Sequence, residues 1–95
     1  MRVMSVVVGA HNLHKKEASQ QRLGLKRIVV HDAFIRRRPT YDMALLQLNA
    51  TLRFTEKVRP ICVARQHFPD NVPCLVTGWG KTSTAGRLSV ITIQL

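Results

Sequence analysis

The stretch Met43-Ala44-Leu45-Leu46-Gln47-Leu48 lies near the middle of the chain. It is a compact apolar run, and a short run of this kind between turn signals is typical of a buried strand. A basic loop over residues 32–40, with Pro39 near its end, precedes the run, and a loop that carries Asn49-Ala50-Thr51 follows it. The run therefore predicts a buried strand between two loops.

Short extended segments lie on both sides of this run. Residues 3–8 are rich in β-branched side chains, which suit a pleated sheet and lose χ1 freedom in a helix. Residues 88–95 are mostly of period two, which predicts a strand. Further extended pieces are predicted over residues 25–30, 58–63 and 74–77, with Gly78-Trp79-Gly80 ending the last of them and a turn over residues 83–86. Many short strands separated by turns indicate an all-β sandwich or barrel.

The composition excludes several classes of protein. A chain of 95 residues is at most one small domain, and 45% hydrophobic residues are too many for a disordered chain. No apolar stretch approaches the roughly 18 residues that a membrane-spanning helix needs. Fifteen Lys and Arg against five Asp and Glu give a formal net charge of +10, which favours polyanionic partners. The cluster Arg36-Arg37-Arg38 is the candidate polyanion patch, and a solvated loop is the alternative interpretation.

Five sequence blocks occur in an order that resembles a known family. The blocks are Val8-Gly9-Ala10-His11-Asn12-Leu13, Ile28-Val29-Val30-His31, Asp42-Met43-Ala44-Leu45-Leu46-Gln47-Leu48, Val58-Arg59-Pro60-Ile61-Cys62-Val63 and Cys74-Leu75-Val76-Thr77-Gly78-Trp79-Gly80. With these blocks the chain resembles the middle of a trypsin/chymotrypsin-type serine endopeptidase, and its opening block is similar to granzymes and elastases. Each block alone is weak, but their order and gaps together are specific.

The resemblance implies a particular fold. We expect a partial double Greek-key β-barrel of the trypsin-like type, with most of the first barrel and the start of the second. Residues 1–55 are assigned to the first barrel, residues 56–73 to the linker between the barrels, and residues 74–95 to the second barrel. The last residues read as a strand without a polar cap, which predicts a truncated sequence.

Asp42 matches the catalytic aspartate of the family. The resemblance implies a Ser-His-Asp acyl transfer, in which a buried aspartate accepts a hydrogen bond from the imidazole, fixes its tautomer and stabilises the imidazolium. An amide at this position does not favour the imidazolium in the same way, so a carboxylate is required. Tyr41 departs from the family, which commonly has Asn there, and Met43 replaces a usual Ile.

The other two catalytic blocks of the family do not occur in these residues. Neither Thr-Ala-Ala-His-Cys nor Gly-Asp-Ser-Gly-Gly is present, and the resemblance gives no catalytic role to the histidines or to Ser83 and Ser89. We therefore expect the chain alone to be inactive, although the family is a serine endopeptidase with protein substrates and no cofactor or metal. The alternative function is a non-catalytic basic homologue that binds heparin-like or bacterial-surface polyanions. A nucleic-acid-binding barrel is disfavoured because few aromatic residues are available for base stacking.

The cysteines and one sequon bear on the cellular compartment. From the residues alone, Cys62 and Cys74 are free to pair with each other. The resemblance implies instead that each bridges to a cysteine outside this chain, which places the protein outside the cell or in a secretory granule, where disulfides persist. Asn49-Ala50-Thr51 is an N-x-T sequon and makes Asn49 a possible glycosylation site.

Overall fold

The predicted all-β fold is confirmed. The computed structural model describes residues 4–81 and 88–94, and these residues form five strands. None of the described residues is in a helix, so no helix among them spans a membrane. The described residues divide into two compact units, one of residues 4–10 and 16–59, the other of residues 11–15 with the chain from residue 60 onward.

The first unit is a three-stranded antiparallel sheet in the order β1-β2-β3. The strands are β1 (Ser5–Val8), β2 (Gln21–Val30) and β3 (Ala44–Leu48). The central strand starts earlier than the predicted residue 25, because its first part pairs with β1 and its second part with β3. The register shifts between Leu25 and Arg27, and an irregularity of this kind bends a strand so that it serves two neighbours.

Two polar contacts close the loops of the first unit. The Ser19 hydroxyl donates to the carbonyl of Gly9 at 2.7 Å, which holds the end of the β1–β2 connection against its beginning. The Gln21 side-chain amide makes two hydrogen bonds to the backbone of Arg53. It donates to the Arg53 carbonyl at 2.8 Å and accepts from the Arg53 N–H at 3.2 Å. The loop after β3 is therefore attached to the start of β2 by side-chain hydrogen bonds rather than by a strand.

The prediction that residues 43–48 form a buried strand is confirmed for the strand and wrong for its burial. The strand exists as β3, but Leu45 is 73% exposed and Leu46 is 47% exposed. Among the described residues the buried hydrophobic side chains are Leu23, 9% exposed, and Val58, 5% exposed. A sheet buries its apolar face only against a second layer, and the described part of this unit is a single sheet.

The second unit contains an antiparallel pair of strands. These are β4 (Leu75–Lys81) and β5 (Leu88–Gln94), so the predicted C-terminal strand is confirmed. The prediction that Gly78-Trp79-Gly80 ends β4 is wrong, because Gly78 pairs with Ile91 and Trp79 with Val90 in the same ladder. The predicted turn over residues 83–86 lies outside the described residues.

Residues 11–15 belong to the second unit through the Trp79 side chain. The indole N–H of Trp79 donates to the carbonyl of His11 at 2.9 Å, across a sequence separation of 68 residues.

The predicted extended piece over residues 58–63 is not a strand, and Val58 makes an isolated bridge with Thr55 instead.

Candidate active site

Asp42 lies at the point where the chain enters β3. The Met43 N–H donates to the Tyr41 carbonyl at 2.8 Å, which closes a three-residue turn centred on Asp42. The His31 N–H donates to the Met43 carbonyl at 3.0 Å, so the turn is attached to the residue directly after β2. Three-residue turns of this kind are common at strand ends, and here the turn fixes the backbone that carries the Asp42 carboxylate.

Tyr41 sits in a strained backbone conformation beside this turn. Its φ is +56°, in the left-handed region that bulky side chains rarely adopt. Its ring stacks on the His31 imidazole with ring centroids 4.8 Å apart and an interplanar angle of 23°. The stack offsets part of the backbone strain and fixes the path of the chain into Asp42.

The His31 imidazole is held by a second contact. Its Nδ1 accepts a hydrogen bond from the Ala33 N–H at 3.0 Å. In a neutral imidazole one nitrogen accepts and the other carries the proton, so this bond assigns the proton of neutral His31 to Nε2. His31 therefore braces the Asp42 turn through its backbone and its ring.

Met43, the residue after Asp42, lines a mainly apolar groove of about 350 Å³. Residues 29–32 of the β2 end and residues 43–45 of the β3 start line it. The Asp42 side chain is exposed, so the buried aspartate that the resemblance implied is not seen in this chain. The physical reason is that the described part of this unit is a single sheet, with no second layer to cover the turn before β3. Asp42 is next to a groove rather than inside one.

The remaining histidines lie away from this turn in the sequence. His11, His14 and His67 belong to the second unit and are exposed. Ser83 and the side chain of Ser89 fall outside the described residues. Among the described side chains, no group of three or more His, Cys, Asp and Glu is arranged to hold a metal ion. The described site thus consists of Asp42 and the residues that brace it.

Comparison with known proteins decides the family. The family model described as "Trypsin" matches residues 1–95. The chain belongs to the trypsin family. Ovochymase-2 of Mus musculus is 36% identical over 95 residues, which cover 97% of this chain and 16% of that protein. Chymotrypsin-like elastase family member 1 of Bos taurus is 34% identical over 88 residues, which cover 88% of this chain and 33% of that protein.

A solved structure has the same fold as this trypsin-family chain. The structure titled "Structure of GrC" superposes with a TM-score of 0.84 at 30% identity, covering 98% of this chain and 43% of that one. The chain spans a third or less of the length of the curated relatives named above. The resemblance to trypsin-type endopeptidases and the predicted trypsin-like all-β fold are both confirmed.

The other predicted site residues of this trypsin-family chain are all exposed. Cys62 and Cys74 are free thiols, and the Cys74 thiol contacts the Val72 carbonyl at 3.4 Å. The three arginines occupy a turn closed by the Arg38 N–H, which donates to the Ile35 carbonyl at 3.0 Å. The exposed predicted residues are Arg36, Arg37, Arg38, Asn49, Cys62 and Cys74. Their roles in a polyanion patch, in glycosylation and in external disulfides stay predictions.

Sequence reasoning missed the contact between Tyr41 and His31. The available signal was the departure from the family at position 41, where Asn is common. Asn tolerates a positive φ, so its usual presence indicates a left-handed residue before the aspartate. Tyr41 keeps this backbone conformation and adds an aromatic ring that reaches His31.

The strain at Tyr41 leads to a testable ranking of variants. We expect Tyr41→Asn to be more stable than Tyr41→Ala by about 1 kcal/mol, because both lose the stack but only Asn tolerates the left-handed conformation. Urea unfolding of the full chain, followed by far-ultraviolet circular dichroism, measures the difference. Equal midpoints for the two variants would show that position 41 carries no backbone strain.

Proposed function

We propose that this chain supplies the orienting aspartate of a Ser-His-Asp serine endopeptidase, with Asp42 in that role. The observation that carries the proposal is the position of the exposed Asp42 in a hydrogen-bonded turn, directly before Met43, which lines an open groove. Because the Asp42 side chain is exposed, its carboxylate is accessible to an imidazole carried by another stretch of polypeptide. The match of the whole chain to the trypsin family supports the same assignment.

The proposed chemistry follows from what a fixed carboxylate does to an imidazole. Asp42 accepts the Nδ1–H of the histidine, which leaves Nε2 free to take the proton of the serine hydroxyl. The serine oxygen attacks the scissile carbonyl, and the imidazolium that forms is stabilised by the negative charge of Asp42. Backbone N–H groups outside this chain stabilise the oxyanion. The contribution of this chain is orientation and charge, because it lacks both other catalytic blocks.

The 95-residue chain by itself is expected to be inactive. We expect the purified 95-residue chain to hydrolyse no peptide ester, because the base and the nucleophile of the family are missing from its sequence. The measurement is ester hydrolysis with and without a serine-directed acylating inhibitor. A rate that the inhibitor abolishes would mean that residues of this chain form a complete site. It would overturn the proposal that this chain supplies only the aspartate.

The positive test uses a chimera. Residues 1–95 replace the matching segment of the bovine elastase relative, whose remaining chain is expected to provide the histidine and the serine. We expect a chimera that unfolds cooperatively on heating to hydrolyse a peptide substrate. A cooperatively folded chimera without activity would contradict the proposal, since the fold would then be complete without a working aspartate.

We also propose a secretory or granule location and protein substrates. Cys62 and Cys74 are exposed and are not bonded to each other, so both are available to cysteines outside this chain.

We propose the same domain boundaries for the assembled protein: residues 1–55 form part of the first barrel, residues 56–73 link the barrels, and residues 74–95 start the second barrel. The polyanion-binding alternative rests on charge alone, through Arg36, Arg37 and Arg38.

A further inference from the structure

A sequon lies directly after β3. Asn49-Ala50-Thr51 is the only Asn-x-Ser/Thr sequence in the chain, and the middle residue is not proline. Such a sequon accepts an N-linked glycan where it lies on the surface of a protein that passes through the secretory pathway. The proposed catalytic role makes no use of this motif.

The sequon is exposed and its backbone is fixed. Asn49 and Thr51 are both exposed, in a bend that follows the last residue of β3. The Asn49 N–H donates to the Gly24 carbonyl at 3.0 Å, which extends the β2–β3 contact by one residue. The acceptor asparagine is therefore at the surface end of a strand and not inside the sheet.

Gly24 leaves space for the Asn49 amide. A Cβ at position 24 would be 2.5 Å from Asn49 Nδ2 and 3.1 Å from Asn49 Cγ, so any side chain there would force the amide to move. Nδ2 is the atom that carries the sugar in an N-linked glycan. In this conformation Nδ2 therefore lies against the backbone of Gly24, and the exposed Asn49 side chain has to rotate away from β2 before Nδ2 accepts a sugar.

The same strand separates the sequon from the candidate active site. Asp42 precedes the start of β3 and Asn49 follows its end. At about 3.3 Å per residue, a strand of five residues puts roughly 16 Å between the two ends. A glycan on Asn49 is thus attached at the end of β3 that is remote from Asp42.

We propose that Asn49 carries an N-linked glycan in the secreted protein, which rests on the proposed secretory location. The donor is a lipid-linked diphosphate oligosaccharide. A bond forms between Asn49 Nδ2 and C1 of the first sugar, Nδ2 loses a proton, and the bond between C1 and the diphosphate oxygen breaks. The lipid diphosphate leaves with the electron pair of that bond.

The test is expression of the full chain behind a cleavable secretory leader in a eukaryotic cell. We expect a mass decrease of one glycan on treatment with an amidase that removes N-linked glycans. Asn49→Gln and Thr51→Ala are expected to lose this shift, and Thr51→Ser to keep it. Asn71→Gln is the matched control, because Asn71 is also exposed but is followed by Val-Pro, and it is expected to keep the shift.

Two outcomes would overturn the proposal: no shift in the unsubstituted chain, or a shift that persists in Asn49→Gln. The mass measurement needs no catalysis, and the supplied leader removes the dependence on the natural location. A failure here is therefore distinguishable from a failure of the proposed protease function, which the hydrolysis assay of the chimera tests separately.

Discussion

Asp42→Asn in the active elastase chimera is expected to lower kcat by about 10⁴-fold, the established loss for this substitution in the type enzyme of the trypsin family. The amide is nearly isosteric with the carboxylate, so the turn between Tyr41 and Met43 and its hydrogen bonds are retained. What changes is the charge and the hydrogen bonding that hold the imidazole in the productive tautomer. Steady-state hydrolysis of a peptide substrate measures kcat and KM separately.

The controls separate Asp42 from other carboxylates of the chain. Asp32 lines the groove beside Asp42, and we expect Asp32→Asn to change kcat by less than about tenfold, far below the loss at the orienting aspartate. Asp70→Asn is a matched substitution at an exposed position of the second unit, and it is expected to leave kcat unchanged. A loss under tenfold for Asp42→Asn, or a larger loss for Asp32→Asn, would move the orienting role away from Asp42.

Some elements are predictable from local sequence because their signal is local. β1 and β5 are rich in alternating or β-branched residues, and the structure has strands there. The early start of β2 has no such signal. Gln21 joins that strand because it pairs with Val8, and a pairing between distant residues leaves no mark on the local pattern. The prediction that β3 is buried is wrong for a related reason, because apolar residues are buried only where a second layer covers them.

The candidate site was only partly predictable. An aspartate in a loop is by itself indistinguishable from a turn residue, and Asp42 was identified only because flanking blocks resemble the trypsin family. The exposure of its carboxylate and the brace formed by Tyr41 and His31 required the structure. A positive φ at a tyrosine contradicts its intrinsic preference, so no single-residue propensity predicts it.

Gly9→Ala is expected to destabilise the first unit strongly, although it adds only a single methyl group. Its φ is +72°, and a Cβ there would collide with the Ser19 carbonyl oxygen. The same Cβ would be 2.9 Å from the Ser19 carbonyl carbon and 3.0 Å from Cγ2 of Val58, one of the buried side chains. A backbone carbonyl cannot rotate away as a flexible side chain does, so the sheet itself must shift.

We expect Gly9→Ala to lower the free energy of unfolding by about 2–4 kcal/mol. This loss is the sum of the left-handed backbone strain and of overpacking against backbone atoms. A loss of this size is a large fraction of the stability of a small domain, so the amides of β1 and β2 are expected to lose protection from hydrogen exchange. Hydrogen–deuterium exchange of the full chain measures this. Gly78→Ala is the control, because no atom of the described residues lies within 4 Å of a Cβ there, and it should leave protection of β1 and β2 unchanged. Equal protection in Gly9→Ala and the unsubstituted chain would mean that the close approach of Gly9 and Ser19 does not hold β1 onto β2.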